Sequence, residues 1–123
     1  MKTILFADWH MLAMCDLVVK SAKQTNREYR FVRTDSIDKA VSSLSEIKPD
    51  LLISQPSLLM EDDFRLLSAA SMQNPTPKLV VWWGNRAAID AFKEQCSYPL
   101  PVSYVALPCD MLELMRQIDT LLA

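Results

Sequence analysis

The sequence holds one glycine, Gly84, and one histidine, His10, among 123 residues. A Walker loop or a dinucleotide fingerprint needs several glycines so that backbone can approach phosphate. Both motifs are absent, which excludes nucleotide chemistry of those two kinds. The three cysteines, Cys15, Cys96 and Cys109, show no short metal-ligand spacing, and one histidine adds too little for a zinc site. No metal or other cofactor is expected. An odd number of thiols fits reduced cysteines in a cytoplasmic protein. No apolar run approaches the ~20 residues of a bilayer-spanning helix, and no signal peptide is visible at the N-terminus. Positive charge is also scarce: 13 Lys and Arg against 15 Asp and Glu give a net charge of −2. This segment is therefore not expected to bind nucleic acid by itself. The local basic cluster Lys20, Lys23, Arg27, Arg30 and Arg33 reads as a solvated face.

What remains is a chain that is 50% hydrophobic and 23% charged, enough for one core and a single domain over residues 1–123. Apolar runs at Ile4–Ala7, Tyr29–Val32, Leu51–Ile53, Leu79–Trp83 and Val102–Leu107 read as strands. Between and after them the apolar spacing becomes three and four, which predicts helices. These are Met11 to about Lys23, a second capped by Asp35 or Ser36 and stopped by Pro49, a third opening on Glu61–Asp63, then Arg86–Gln95 and Asp110–Leu122. Glu61–Asp63 suits a helix start, where the dipole favours negative charge. Five strand-helix alternations with short loops predict an α/β fold, (βα)5 and flavodoxin-like: a five-stranded parallel sheet with helices on both faces. In such sheets the site lies beyond the carboxyl ends of the strands. Those ends carry Asp8-Trp9, Ser54-Gln55, Trp82-Trp83 and Ala106-Leu107.

Several stretches resemble response-regulator receiver domains, and the resemblance covers essentially the whole chain. "ILFADWHML" is similar to that family's first strand and acidic pair, with a histidine in the manner of LuxR/NarL-type transcription regulators. "AVSSLSEIKPDLLIS" resembles the second helix and third strand, and "YVALP" the end of the fifth strand. The resemblance implies a metal-holding acidic pair, a phosphoaccepting aspartate after the third strand, a hydroxyl after the fourth and a lysine after the fifth. Here Asp8 matches the first acid, whereas Trp9, Gln55, Trp82 and Leu107 replace the rest. One carboxylate in those five positions will not hold magnesium well, and an amide is a poor nucleophile for phosphoryl transfer. Ser54 has a hydroxyl, but period-two alternation points it away from Gln55. The replacements are expected to fill the pocket, with Trp9 and Trp82 as the main plugs.

Further positions follow from the same resemblance. Tyr104 matches the switch aromatic but, without its hydroxyl partner, reads first as an ordinary half-buried strand tyrosine. Leu107-Pro108 is expected to be a cis peptide. Arg86, Asp90, Lys93, Glu94, Arg116 and Asp119 fall on the elements of the family's dimer surface. Trp83 and Met11 read either as a partner-binding patch near the pocket mouth or as core, and His10 as a surface histidine. The function so implied is a phosphorylation-independent pseudo-receiver, not an enzyme. It would act as a protein-interaction or dimerisation domain in bacterial signal transduction or transcription control. Its partner would be a protein or a second copy, with no membrane, and DNA would be reached only through a further C-terminal domain. The alternative is a small-molecule sensor in which Trp9 and Trp82 stack on a ligand in the altered pocket.

Overall fold

The computed structural model describes residues 1–123. Five strands and five helices alternate: β1 Thr3–Ala7, α1 Leu12–Gln24, β2 Arg30–Arg33, α2 Ile37–Ile47, β3 Leu51–Ser54, α3 Pro56–Ser71, β4 Lys78–Trp83, α4 Arg86–Gln95, β5 Val102–Ala106 and α5 Met111–Leu122. All pairings are parallel, in the order β2-β1-β3-β4-β5. The register sets Ala7 beside Ser54, Ser54 beside Val81 and Trp82 beside Val105. The ends of β1, β3, β4 and β5 thus converge at one rim of the sheet.

Local chemistry explains the boundaries. The Ser36 hydroxyl accepts from the Lys39 N–H at 3.2 Å and starts α2. The Asn85 and Asp110 side chains do the same for α4 and α5 at 2.9 Å. Each such cap satisfies backbone donors that the first helical turn cannot pair. Lys48 ends α2 in the left-handed region, at φ 51°, just before Pro49. No helix is long and apolar enough to cross a membrane.

Strand alternation divides the core into two halves. On one face Ile4, Phe6, Leu51, Ile53, Val80, Trp82 and Val105 pack against α1 and α5. On the other, Leu5, Ala7, Leu52, Leu79 and Val81 pack against α2, α3 and α4.

The third helix departs from expectation. It begins at Pro56, whose fixed φ and missing N–H suit a first helical position, rather than at Glu61. It is then interrupted: Glu61 is extended, and Asp62, Asp63 and Phe64 are left-handed, with φ of 54°, 56° and 60°. The acidic run is an internal turn, and α3 resumes beyond it.

Candidate functional site

At the rim, Asp8 follows β1 and is 2% exposed. Two residues beyond Phe6, its side chain keeps to the α1/α5 face. Its Oδ1 accepts from the backbone N–H groups of His10, at 2.9 Å, and Met11, at 3.0 Å. The Asp8 carboxylate thereby does the work of a helix cap, for Met11 itself offers no side-chain cap to α1. Oδ1 also accepts from the Gln55 amide Nε2 at 3.0 Å, and Oδ2 from the Trp82 indole Nε1 at 2.6 Å. Four neutral donors therefore converge on one buried carboxylate. Together they satisfy the buried carboxylate oxygens from within the chain.

Trp82 is fully buried and stacks on Phe6 at 5.9 Å between centroids. Gln55 stands at the head of α3. Its Oε1 accepts from the Ser57 hydroxyl at 3.3 Å, and its Nε2 lies 3.2 Å from His10 Nδ1, a hydrogen bond in the tautomer with Nδ1 unprotonated. Ser54 is buried and donates to the Ala7 carbonyl at 2.7 Å, so its hydroxyl is not available as an acceptor of phosphate. Leu107 is half-buried against the α1/α5 half of the core, its N–H donating to the Trp83 carbonyl at 2.8 Å. The Leu107–Pro108 peptide is cis, as is Asn74–Pro75.

A divalent cation, the cofactor of an active receiver, does not fit these residues. No group of three His, Cys, Asp or Glu side chains comes together to hold one. The single acid at the rim has both oxygens aimed at N–H donors that a cation would have to displace.

Trp9 does not plug this pocket. Period-two alternation carries it, with Leu5 and Ala7, to the opposite face from Asp8 and Trp82. There it is half-buried and walls two open surface hollows, one with Leu12, Arg33 and Lys39, the other with Asp38, Glu61 and Arg65. Trp9 and Trp82 therefore cannot sandwich one ligand, which removes the geometry of the small-molecule reading. Met11 packs against the α1/α5 half of the core and Trp83 against the α2–α4 half. Trp83 carries Arg86 over its ring at 5.8 Å, and its Nε1 is buried without an acceptor.

The α4–β5–α5 face is mixed. Arg86 pairs with Asp90 at 3.5 Å and Arg116 with Glu113 at 3.7 Å, all exposed. Glu94 is exposed, and Lys93 lies 4.6 Å from the Tyr104 ring centroid. Tyr104 is 39% exposed, packed edge-on to Phe92. Asp119 does not belong with this set. It accepts from Arg27 Nε at 2.8 Å and from the Tyr29 hydroxyl at 2.5 Å, tying α5 to the segment before β2. The Arg27 hydrogen bond holds the Asp119 carboxyl below its usual range. Burial, aided by the bond to Asp119, pushes Tyr29 up to about 12. The basic cluster is partly neutralised in this way, Arg27 by Asp119 and Arg33 by Asp16 at 2.6 Å, while Lys20, Lys23 and Arg30 are exposed.

No protein-family model matches the sequence, and no curated protein matches it. Solved structures do. A two-component transcriptional regulator AraC from Clostridium phytofermentans superposes with a TM-score of 0.73 at 17% identity, over 98% of this chain and 91% of that one. RcsB from Salmonella enterica serovar Typhimurium, bound to promoter rprA in the presence of the phosphomimetic BeF3−, gives 0.71 at 16% identity over 100% of both chains. A de novo designed Rossmann 2x3 protein gives 0.62 at 15% identity, over 98% of this chain and 88% of that one. The designed protein is a reminder that this architecture can be shared without any shared chemistry. At the level of architecture, the chain has the fold of a response-regulator receiver domain.

Proposed function

We propose that this domain is a phosphorylation-independent pseudo-receiver that works by binding protein rather than by catalysis. The observation that carries the reading is the saturation of Asp8 by Trp82 Nε1, Gln55 Nε2 and two backbone N–H groups. In a receiver that switches, this rim must admit a cation and a phosphoryl group, and their charges must be compensated by carboxylates and a lysine. Here neutral donors and apolar Leu107 occupy those positions. The resting arrangement is then the working one.

The setting that best fits is bacterial signal transduction or transcription control in the cytoplasm, with a protein partner or a second copy engaged through the surface. Two-component regulators among the similar structures support that setting. Acetyl phosphate, or beryllofluoride with magnesium, should leave the tryptophan fluorescence and the amide NMR spectrum unchanged. A stoichiometric phosphoryl adduct on this chain would sink the reading. Sedimentation across concentration tests the homodimer arm. A chain that stays monomeric throughout would direct attention to a different protein as the partner.

A further inference from the structure

The interruption of α3 has a cause in the sequence. In an uninterrupted right-handed helix, side chains three and four apart share a face. Asp63 lies four residues after Leu59 and three before Leu66, and Asp62 lies three after Leu59 and four before Leu66. Leu59 and Leu66 are fully buried in the α2–α4 half of the core. A continuous helix would therefore carry both carboxylates into or beside the apolar stripe, where an unpaired charge is strongly disfavoured. The observed turn puts Glu61, Asp62 and Asp63 into solvent and folds Phe64 onto the core instead. Arg65 then pairs with Asp38 on α2 and approaches Asp62 at 3.8 Å.

Three consecutive non-glycine residues in the left-handed region are nevertheless unfavourable, most of all for a bulky Phe64. Strain of this kind persists only where the surroundings fix it, and it concentrates in segments that switch. Two costs thus oppose each other within four residues: left-handed backbone in one state, carboxylate burial in the other.

We propose that Glu61–Phe64 is a conformational latch and α3 a two-state element. The observed state has the left-handed turn. The second has a continuous right-handed helix from Pro56 to Ser71, in which Asp62 and Asp63 leave solvent for the core-facing stripe of Leu59 and Leu66. The two states present different surfaces: an exposed acidic turn in one, an unbroken helix in the other. This inference is independent of the reading of the Asp8 site.

The test uses the whole chain and two double variants, Asp62→Gly/Asp63→Gly and Asp62→Ala/Asp63→Ala. Relaxation-dispersion NMR of the unsubstituted chain should show millisecond exchange confined to about residues 60–67. The glycine pair, which favours the left-handed turn, should quench that exchange and raise Tm by roughly 3–6 °C for each strained site relieved. The alanine pair removes both carboxylates and should move the Cα shifts of residues 61–64 to helical values. A flat dispersion profile in the unsubstituted chain overturns the proposal. So does an alanine pair that retains left-handed shifts.

Discussion

The two faces of the sheet handle polar groups in opposite ways. On the α1/α5 face a buried carboxylate is fully satisfied: Asp8 accepts four hydrogen bonds, and Trp82, its largest partner, is wholly buried. On the α2–α4 face the rim is unfinished. Trp9 is half-buried between surface hollows, the Trp83 indole N–H has no acceptor, and α3 holds a strained turn. The comparison teaches where each kind of behaviour belongs. The first face pairs its buried carboxylate completely from within the chain. The second has tolerated strain and exposure, which is the usual condition of segments that rearrange or bind.

That contrast can be broken most severely at Trp82. Trp82→Ala should cost about 3–5 kcal/mol in urea denaturation, because it leaves a cavity and deprives Asp8 of a donor. Trp9→Ala, on the other face, should cost only about 1 kcal/mol. Equal losses would show that the two rims are energetically alike. Trp82→Phe keeps an aromatic ring in the core and removes the indole N–H. It should cost about 1.5–3 kcal/mol, the range of a bond to a charged group, and a neutral result would remove the indole–Asp8 bond from the account.

A smaller effect is expected at Asp119→Asn, which loosens α5 from Arg27 and Tyr29 and should cost roughly 1 kcal/mol or less, since the pair is partly exposed. Its pH signature has a definite sign. Asp119 has a lowered folded pKa, so its contribution is present above its ordinary value of 3.8 and is lost as pH falls through the folded one. Tyr29 is raised from 10.0 to about 12, so its contribution is lost as pH climbs through that interval. The acid slope should disappear in the Asp119→Asn variant, whereas the alkaline one, set first by the burial of Tyr29, should only lessen. The smallest effect belongs to Gly84→Ala. Gly84 has no left-handed φ, and an added Cβ would meet only Met11 Cε at 3.7 Å, so a gain of about 0.4–1 kcal/mol is expected. A loss there would mean that this loop needs glycine after all.

Most of the architecture was legible because it rests on local periodicity. Strand runs, a cap at Asp35 or Ser36, and the whole span of α4 follow from local residue patterns. The convergence of Asp8, Gln55 and Trp82 was legible from the expected fold, since parallel strands deliver their carboxyl ends to one rim. Two errors had different origins. The direction of Trp9 was readable: alternation from Leu5 and Ala7 already sends it away from Asp8. The turn in α3 was less so, because Glu61–Asp63 satisfies the rule for a helix start, and the conflict appears only when Leu59 and Leu66 are known to face the same core. Asp119 was invisible to local pattern, for its partner Arg27 is 92 residues away.

The scarcity of glycine that first narrowed the chemistry also bears on the unfolded chain. A protein of ordinary composition has about 7% glycine, and each such residue surrenders extra backbone entropy on folding, about 0.5–1 kcal/mol relative to alanine in a helix or strand. With Gly84 alone, this chain surrenders little of that kind. Its left-handed positions fall instead to Asn26, Lys48, Asp62, Asp63 and Phe64. What other chains spread as flexibility over many sites in the denatured ensemble, this one concentrates as enthalpy at a few places in the native state. Three of those five are consecutive, so much of this domain's conformational cost is addressable at a single turn.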